Sequence, residues 1–360
     1  MPKLAMTKNI LVTGGCGFVG SNLCMLLKEQ YPQYNVIALD NLKRRGSELN
    51  IQRLTAMGIQ FLHGDIRNKA DLVIDIPLNT IIDAAAEPSV LAGMGTSTDY
   101  LIQTNFNGTV NLLNLAAEHK ADFIFLSTSR VYPIAALEKV AYHEEPTRFV
   151  MDAQQHLPGC SAKGIAEHFP LDGARSLYGS TKLASELMIR EYEAFFGLNA
   201  VINRCGVITG PYQMGKVDQG VVVLWMARHF WNKPVSYIGY GGTGKQVRDL
   251  LHIHDLFRLV DMQVHNMAAF KGKLYNVGGG NEVSVSLKEL TQLCARITGN
   301  TVPEEVQLQN RQGDIPLYIT DNSNITAATG WQPLKSAEII LTDIFDWIKQ
   351  NEKQLKPILN

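Results

Sequence analysis

Residues Asn9 to Gly20 read NILVTGGCGFVG: a β-branched run ending at Thr13, glycines at positions 14, 15, 17 and 20, then an amphipathic stretch, Ser21–Gln30. Few structures need so many glycines between a strand and a helix. They permit a tight turn, let the backbone approach a ligand closely, and allow the helix to pack hard on the strand. The helix start then presents free N–H groups and a partial positive charge, which suit a pyrophosphate. A second apolar run, Val36–Leu39, ends at Asp40, twenty positions beyond Gly20. A carboxylate there can accept both hydroxyls of an adenosine ribose. An ordinary glycine turn carries no such partner at that distance, so the segment is expected to hold a dinucleotide.

The charge on Asp40 repels a 2′-phosphate and favours NAD over NADP. Lys43, Arg44 and Arg45 follow closely and are either a phosphate partner or a solvated loop. The residues expected to contact the cofactor are Gly14, Gly17, Phe18, Val19 and Gly20 in the loop and helix start, Asp40 and Asn41 after the second strand, Asp65 and Ile66 after the third, and Ala84 and Ala85 after the fourth. Asp65 can meet the adenine amino group or serve as a simple turn aspartate.

Further strands are predicted at Gln60–Leu62, Thr80–Asp83, Phe123–Ser127 and Ala200–Asn203, with helical patterns at Thr98–Lys120 and Tyr178–Phe196. Strands alternating with helices imply βαβ units and a parallel sheet covered on both faces, an α/β fold of the Rossmann-type, doubly wound kind. The second half is less regular. It has a glycine-rich loop at Gly239–Gly244, a strand at Leu274–Val277 and helices at Ser286–Thr298 and Ser336–Lys353, and reads as a smaller α+β lobe. The expected division is a nucleotide-binding domain over residues 1–182 and a substrate lobe over 183–360. Strands near 200–206 and 274–277 return to the first domain.

Composition limits the function classes. A net charge of −1 on 360 residues argues against a general nucleic-acid binder. The start lacks the features of a signal peptide, and no run approaches the roughly 18–20 apolar residues of a membrane span. The five scattered cysteines suit a reduced, cytoplasmic enzyme and form neither a disulfide framework nor a zinc site. His252 and His254 alternate on a predicted strand but lack a third ligand, so no metal is expected. Glu145 and Glu167 are either acid/base helpers or solvated loop carboxylates.

The chemistry gathers at Tyr178-Gly-Ser-Thr-Lys182, which opens a helix. Residues four apart share a helix face. An ammonium beside a phenol lowers the pKa of the phenol from its ordinary value near 10 and makes it a usable base. Thr128, at the end of the strand Phe123–Ser127, supplies a hydroxyl for the same substrate oxygen.

Together, TGGCGFVG, Asp40, HGDIR, NFNGTVNLL, LSTSRVY and YGSTK, then RCGVITGP, GGTGKQVRDLLHIHD and YNVGGG, resemble the extended short-chain dehydrogenase/reductases in order and spacing over nearly the whole chain. The resemblance implies that Thr128, Tyr178 and Lys182 are catalytic and that Asn105 and Lys182 contact the nicotinamide side of NAD. It also implies that Arg248 binds the diphosphate of a nucleotide-linked sugar. Sugar-nucleotide 4,6-dehydratases of the family carry Asp-Glu directly after the catalytic Thr; this chain has Ser129-Arg130, which points away from dehydration.

DNLKRRGSELN, the long insertion between Tyr132 and Tyr178, and VDQG at Val217–Gly220 followed by GKQVRD resemble a branch of the family, the CDP-linked sugar 2-epimerases. Pro133 and Leu177 depart from that branch, which usually has Gly and Pro there. The implied activity is epimerisation through a ketosugar, with a CDP-sugar as the favoured substrate. Ser129, Asn203, Asp218, Gln219 and Arg248 are the expected substrate contacts. Alternatives are a UDP-hexose 4-epimerase, a net nucleotide-sugar oxidoreductase and a non-catalytic NAD-sensing scaffold. The apolar stripes of Thr98–Lys120 and Tyr178–Phe196 suggest a homodimer or homotetramer.

Overall fold

A computed structural model of the chain describes residues 7–215 and 219–359. Five strands open the fold: β1 (Asn9–Thr13), β2 (Asn35–Asp40), β3 (Gln60–His63), β4 (Thr80–Asp83) and β5 (Asp122–Thr128), with helix α1 (Phe18–Gln30) between the first two. They belong to a seven-stranded sheet in the order Lys273–Val277, Ala200–Cys205, β5, β4, β1, β2, β3. The β1–β2, β1–β4, β2–β3 and β4–β5 pairs are parallel, with Leu11 level with both Ile37 and Ile81. A sheet covered on both faces needs strands that are apolar throughout. The sequence supplies them: Ile10–Val12, Val36–Leu39 and Phe123–Leu126 are all buried.

The chain forms two compact units. One comprises Met1–Ser127, Ser180–Asn203 and Phe257–Leu274; the other comprises Thr128–Gly179, Arg204–Leu256 and Tyr275–Asn360. The second is built on a sheet of Val207–Thr209, Val247–His252 and Ser284–Ser286, with Leu317–Tyr318 paired to Val247–His252. A separate parallel pair joins Val235–Ile238 to Glu304–Gln307. Ser286 caps the helix Leu287–Thr298 through a reciprocal bond with Glu289, which satisfies two otherwise orphaned N–H groups. The insertion folds into two hairpins, Tyr142–Glu144 with Phe149–Met151 and Cys160–Ser161 with Gly164–Ile165. Its Thr147 hydroxyl donates to Glu289 and Arg148 to Ser284, which fasten it to the start of that helix.

Three predicted elements differ from what forms. The stretch Thr98–Lys120 is not one helix: Asp99–Ile102 leads into a wide π turn, Gln103–Asn107, before Gly108–His119. Ser336–Lys353 divides into Ala337–Gln350 and Glu352–Leu359. Asn351 interrupts it by turning its side chain back to the Trp347 carbonyl. The strand carrying His252 ends there, and His254 already lies in the helix Ile253–His265, so the two do not alternate along a strand. No helix among the described residues is long and apolar enough to cross a membrane.

His252 is 1% exposed, with its Nε2 3.4 Å from Asp343. Burial, then the neighbouring His254, push its pKa down to about 4 from 6.5. As pH falls below 6.5 the unfolded chain takes up a proton that folded His252 refuses until about pH 4. Stability is therefore expected to decline across that window, by ~3 kcal/mol when complete. Urea unfolding of wild type and His252→Gln at pH 7, 5 and 4 checks this. The variant should lose the slope, and equal slopes would remove His252 as its cause.

Candidate active site

The glycine loop closes on itself through a bond from the Gly17 N–H to the Gly14 carbonyl, 2.9 Å, and Ser21 N–H reaches Gly17 to begin α1. Gly14 has a φ of +62°, a conformation that other residues rarely adopt. At Gly20 a Cβ would stand 2.1 Å from the Gly14 carbonyl oxygen, so α1 can meet the strand end only with glycine there. This leaves the Phe18 and Val19 N–H groups in the first helical turn, where an α-helix has no acceptor of its own. Both residues are half-buried.

Asp40 is 8% exposed and accepts from the Cys16 and Leu42 N–H groups at 3.0 and 2.7 Å. Burial raises its pKa, against the pull of those amides. A carboxylate fixed by two backbone donors keeps lone pairs for ribose hydroxyls. Asp65 is committed elsewhere: Arg67 grips it at 2.9 and 2.7 Å and Asn41 donates to it at 2.9 Å. Those bonds outweigh burial, the largest single influence, and hold its pKa down to about 2. Arg67 and Lys43 both lie near the Tyr100 ring, at 4.7 and 5.2 Å from its centre. Ile66 is buried against Gly108, and Ala84 and Ala85 flank Gly14. The cradle, the helix-start amides and Asp40 fit a dinucleotide.

The π turn carries Asn105, which is fully buried. Its side chain accepts from the Glu87 N–H at 2.7 Å and donates to the Glu87 carbonyl at 3.0 Å and to Thr181 at 3.3 Å. Asn105 thus braces the loop after β4 against the helix Leu177–Phe196. Wide turns of this kind are frequent at functional sites.

That helix bears the catalytic candidates. Ser176 caps it by accepting from the Gly179 N–H at 3.1 Å. Tyr178 and Lys182 stand one turn apart, the first half-buried and the second 2% exposed. The Lys182 ammonium lies 4.0 Å from the Phe125 ring centre. One turn further, Glu186 accepts from the Ser127 hydroxyl at 2.5 Å. Phe125 and Ser127 share one face of β5 and meet residues four apart on the helix, so strand and helix are held in register by two contacts. A Cβ at Gly179 would lie 2.0 Å from the Arg130 carbonyl, so the chain just past Thr128 passes directly against the turn that carries Tyr178.

Thr128 Oγ1 accepts from the Arg130 N–H at 3.2 Å. A hydroxyl has a single hydrogen, and this bond leaves the Thr128 hydrogen free to be donated to a substrate oxygen. Ser129 is half-buried in the turn that follows.

In the second unit a cleft of about 720 Å³ is walled by Trp225, Arg228, Gln246, Glu305, Arg311 and Asp314, among others. This size suits a nucleotide-sized ligand. Arg248 donates to Asp314 at 2.7 Å and to the Ile315 carbonyl at 2.8 Å. Gln219 is half-buried, and Asp218 lies outside the described residues. Asn203 is buried, with both amide groups exchanged with Gln263 at 2.9 and 2.8 Å, an interior pairing rather than a ligand-facing one. Glu167 accepts from Asn276 and Asn324, a structural use that the sequence left open. Arg130, Glu186, Arg311 and Asp314 were not among the sequence-derived candidates. Their only sequence signal was position, two beyond Thr128 for Arg130 and one turn beyond Lys182 for Glu186.

A profile of the NAD dependent epimerase/dehydratase family matches residues 10–278. A CDP-paratose 2-epimerase of Salmonella typhi is 33% identical over 349 residues, 94% of this chain and 98% of that protein. A dTDP-glucose 4,6-dehydratase of Mycolicibacterium smegmatis is 26% identical, over 97% of this chain and 96% of its own. Among solved structures, UDP-glucuronic acid 4-epimerase from Bacillus cereus in complex with UDP-glucuronic acid and NAD superposes with a TM-score of 0.75 at 26% identity, covering 95% of this chain and 99% of that one.

Proposed function

The chain belongs to the NAD dependent epimerase/dehydratase family, and from that premise we propose that it inverts one carbon of a nucleoside-diphosphate sugar, with a CDP-linked deoxysugar inverted at C2 as the substrate. NAD supplies the hydride acceptor and donor when bound, so the cycle has no net redox change. Tyr178, charged by the adjacent Lys182 ammonium, takes the proton of the sugar hydroxyl as that carbon gives up its hydride. Thr128 donates its free hydrogen to the same oxygen. After the ketosugar turns over, Tyr178 returns the proton as hydride arrives on the opposite face. Arg248 holds the diphosphate, and the base and ribose occupy the cleft beside Asp314.

The observation that carries this reading is the trio Thr128, Tyr178 and Lys182 with a cation at position 130, where dehydration requires a carboxylate. The relative that is 33% identical supports C2 as the carbon and CDP as the carrier. The likeness to the UDP-glucuronic acid 4-epimerase favours a second reading, inversion at C4 of a UDP-hexose. We place the enzyme in the cytoplasm, in keeping with its five free cysteines. A homodimer is also proposed, because Leu187, Phe195 and Phe196 stand exposed along the catalytic helix.

Heat denaturation of purified protein is expected to release NAD. Incubation with CDP-, UDP-, dTDP- and GDP-sugars should give a single epimer by NMR. A CDP-sugar deuterated at C2 should react more slowly and keep its label. An isotope effect at C4 of a UDP-sugar selects the second reading. Absence of both NAD and any epimer defeats both. Light scattering on the same sample should give about twice 39.9 kDa.

A further inference from the structure

Arg130 follows Thr128 by two residues, and its backbone runs against the turn bearing Tyr178. Its side chain is tied down at one point only, where Nη1 donates to the Gly313 carbonyl at 3.2 Å. Arg248 is tied to the next two residues, Asp314 and Ile315. Three consecutive residues therefore hold two guanidiniums side by side, and one carboxylate, Asp314, stands between two positive charges. Arg130 forms no ion pair with a carboxylate among the described residues, and one of its five N–H donors is used. Burial, and then the charge of Arg248, lower its pKa to about 10, so it remains a cation at neutral pH.

Two like charges in a desolvated pocket with a single counter-charge are costly unless something else brings negative charge. Arginine donors left without acceptors suit a planar or tetrahedral oxyanion gripped through two nitrogens. We propose that Arg130 binds substrate, joining Arg248 in a two-guanidinium seat for an oxyanion at the sugar end of the nucleotide sugar: the sugar-proximal phosphate or a carboxylate on the sugar itself. The inference rests on the nucleotide-sugar reading above but not on which carbon is inverted. It also accounts for a cation at this position, since a carboxylate beside Arg248 and Asp314 would repel the anion.

Binding tests this without any need for turnover, so a chain that binds these ligands and epimerises none would defeat the epimerase reading and leave this inference standing. Titration calorimetry on the NAD-bound protein would compare wild type, Arg130→Gln and Arg130→Lys. The ligands are CDP, UDP, UDP-glucose and UDP-glucuronic acid. Loss of a charge-assisted contact predicts about 10- to 100-fold weaker binding for Arg130→Gln. Arg130→Lys, which keeps the charge but not the fork, should fall between. A loss already present with CDP or UDP alone assigns the phosphate; a loss confined to UDP-glucuronic acid assigns the sugar carboxylate. Unchanged affinity for all four ligands in both variants overturns the proposal, even if turnover falls.

Discussion

Tyr178→Phe is expected to lower turnover by about 10²- to 10⁴-fold, the usual worth of a positioned acid/base group, while NAD content and melting temperature stay near those of wild type. The phenol oxygen is the only atom removed. The side chain is half-buried, and the helix start is held by the Ser176 cap and by the contact of Gly179 with Arg130, neither of which uses that oxygen. Substrate affinity should change little, so the loss should fall on kcat rather than KM. Lys182→Met should lower turnover comparably and also disturb packing, because the ammonium is enclosed beside Phe125. Retention of more than about a tenth of wild-type turnover by Tyr178→Phe would mean that another group moves the proton.

The second large effect is expected at Gly20. Its substitution by alanine would put a carbon 2.1 Å from the Gly14 carbonyl oxygen, and that neighbour is backbone, not the tip of a flexible side chain. Either α1 moves off β1 or the Gly14 turn opens. Overpacking of this kind costs about 1–3 kcal/mol in stability. The turn is also where the N–H groups for the pyrophosphate are arranged. Gly20→Ala should therefore purify with its NAD content lowered at least about tenfold, measured by absorbance of the heat-released cofactor, and should melt several degrees lower. A variant that retains a full complement of NAD would show that the cofactor does not lie on this turn.

The glycine loop, Asp40, the strand series and the Tyr178–Lys182 spacing were legible because each is local. Periodicity and short spacings report on neighbours within one or two turns, and those are the contacts that build a βαβ unit. Long-range pairings leave no such trace. Nothing in the sequence announces that Asn203 exchanges both amide bonds with Gln263, sixty residues away. Likewise, Arg130 and Arg248 are brought together by Gly313–Ile315, a segment without a motif of its own. Asp65 was placed correctly after its strand, but Arg67 and Asn41 claim its oxygens. His254 fell from the strand for a related reason: an apolar alternation ending at His252 runs straight into an amphipathic helix, and the overlap fits both periods.

The wide turn at Gln103–Asn107 has a consequence for which substitutions and length changes this segment can bear. One surplus residue rotates everything after it by about 100° around the axis of the helix. The apolar stripe before the turn and the one after it are therefore out of phase, which a single uninterrupted periodicity conceals. Deleting one residue here would restore an ordinary helix and swing Gly108 away from Ile66 and Thr109 away from Asp83. The segment should thus accept changes of side chain far more readily than changes of length.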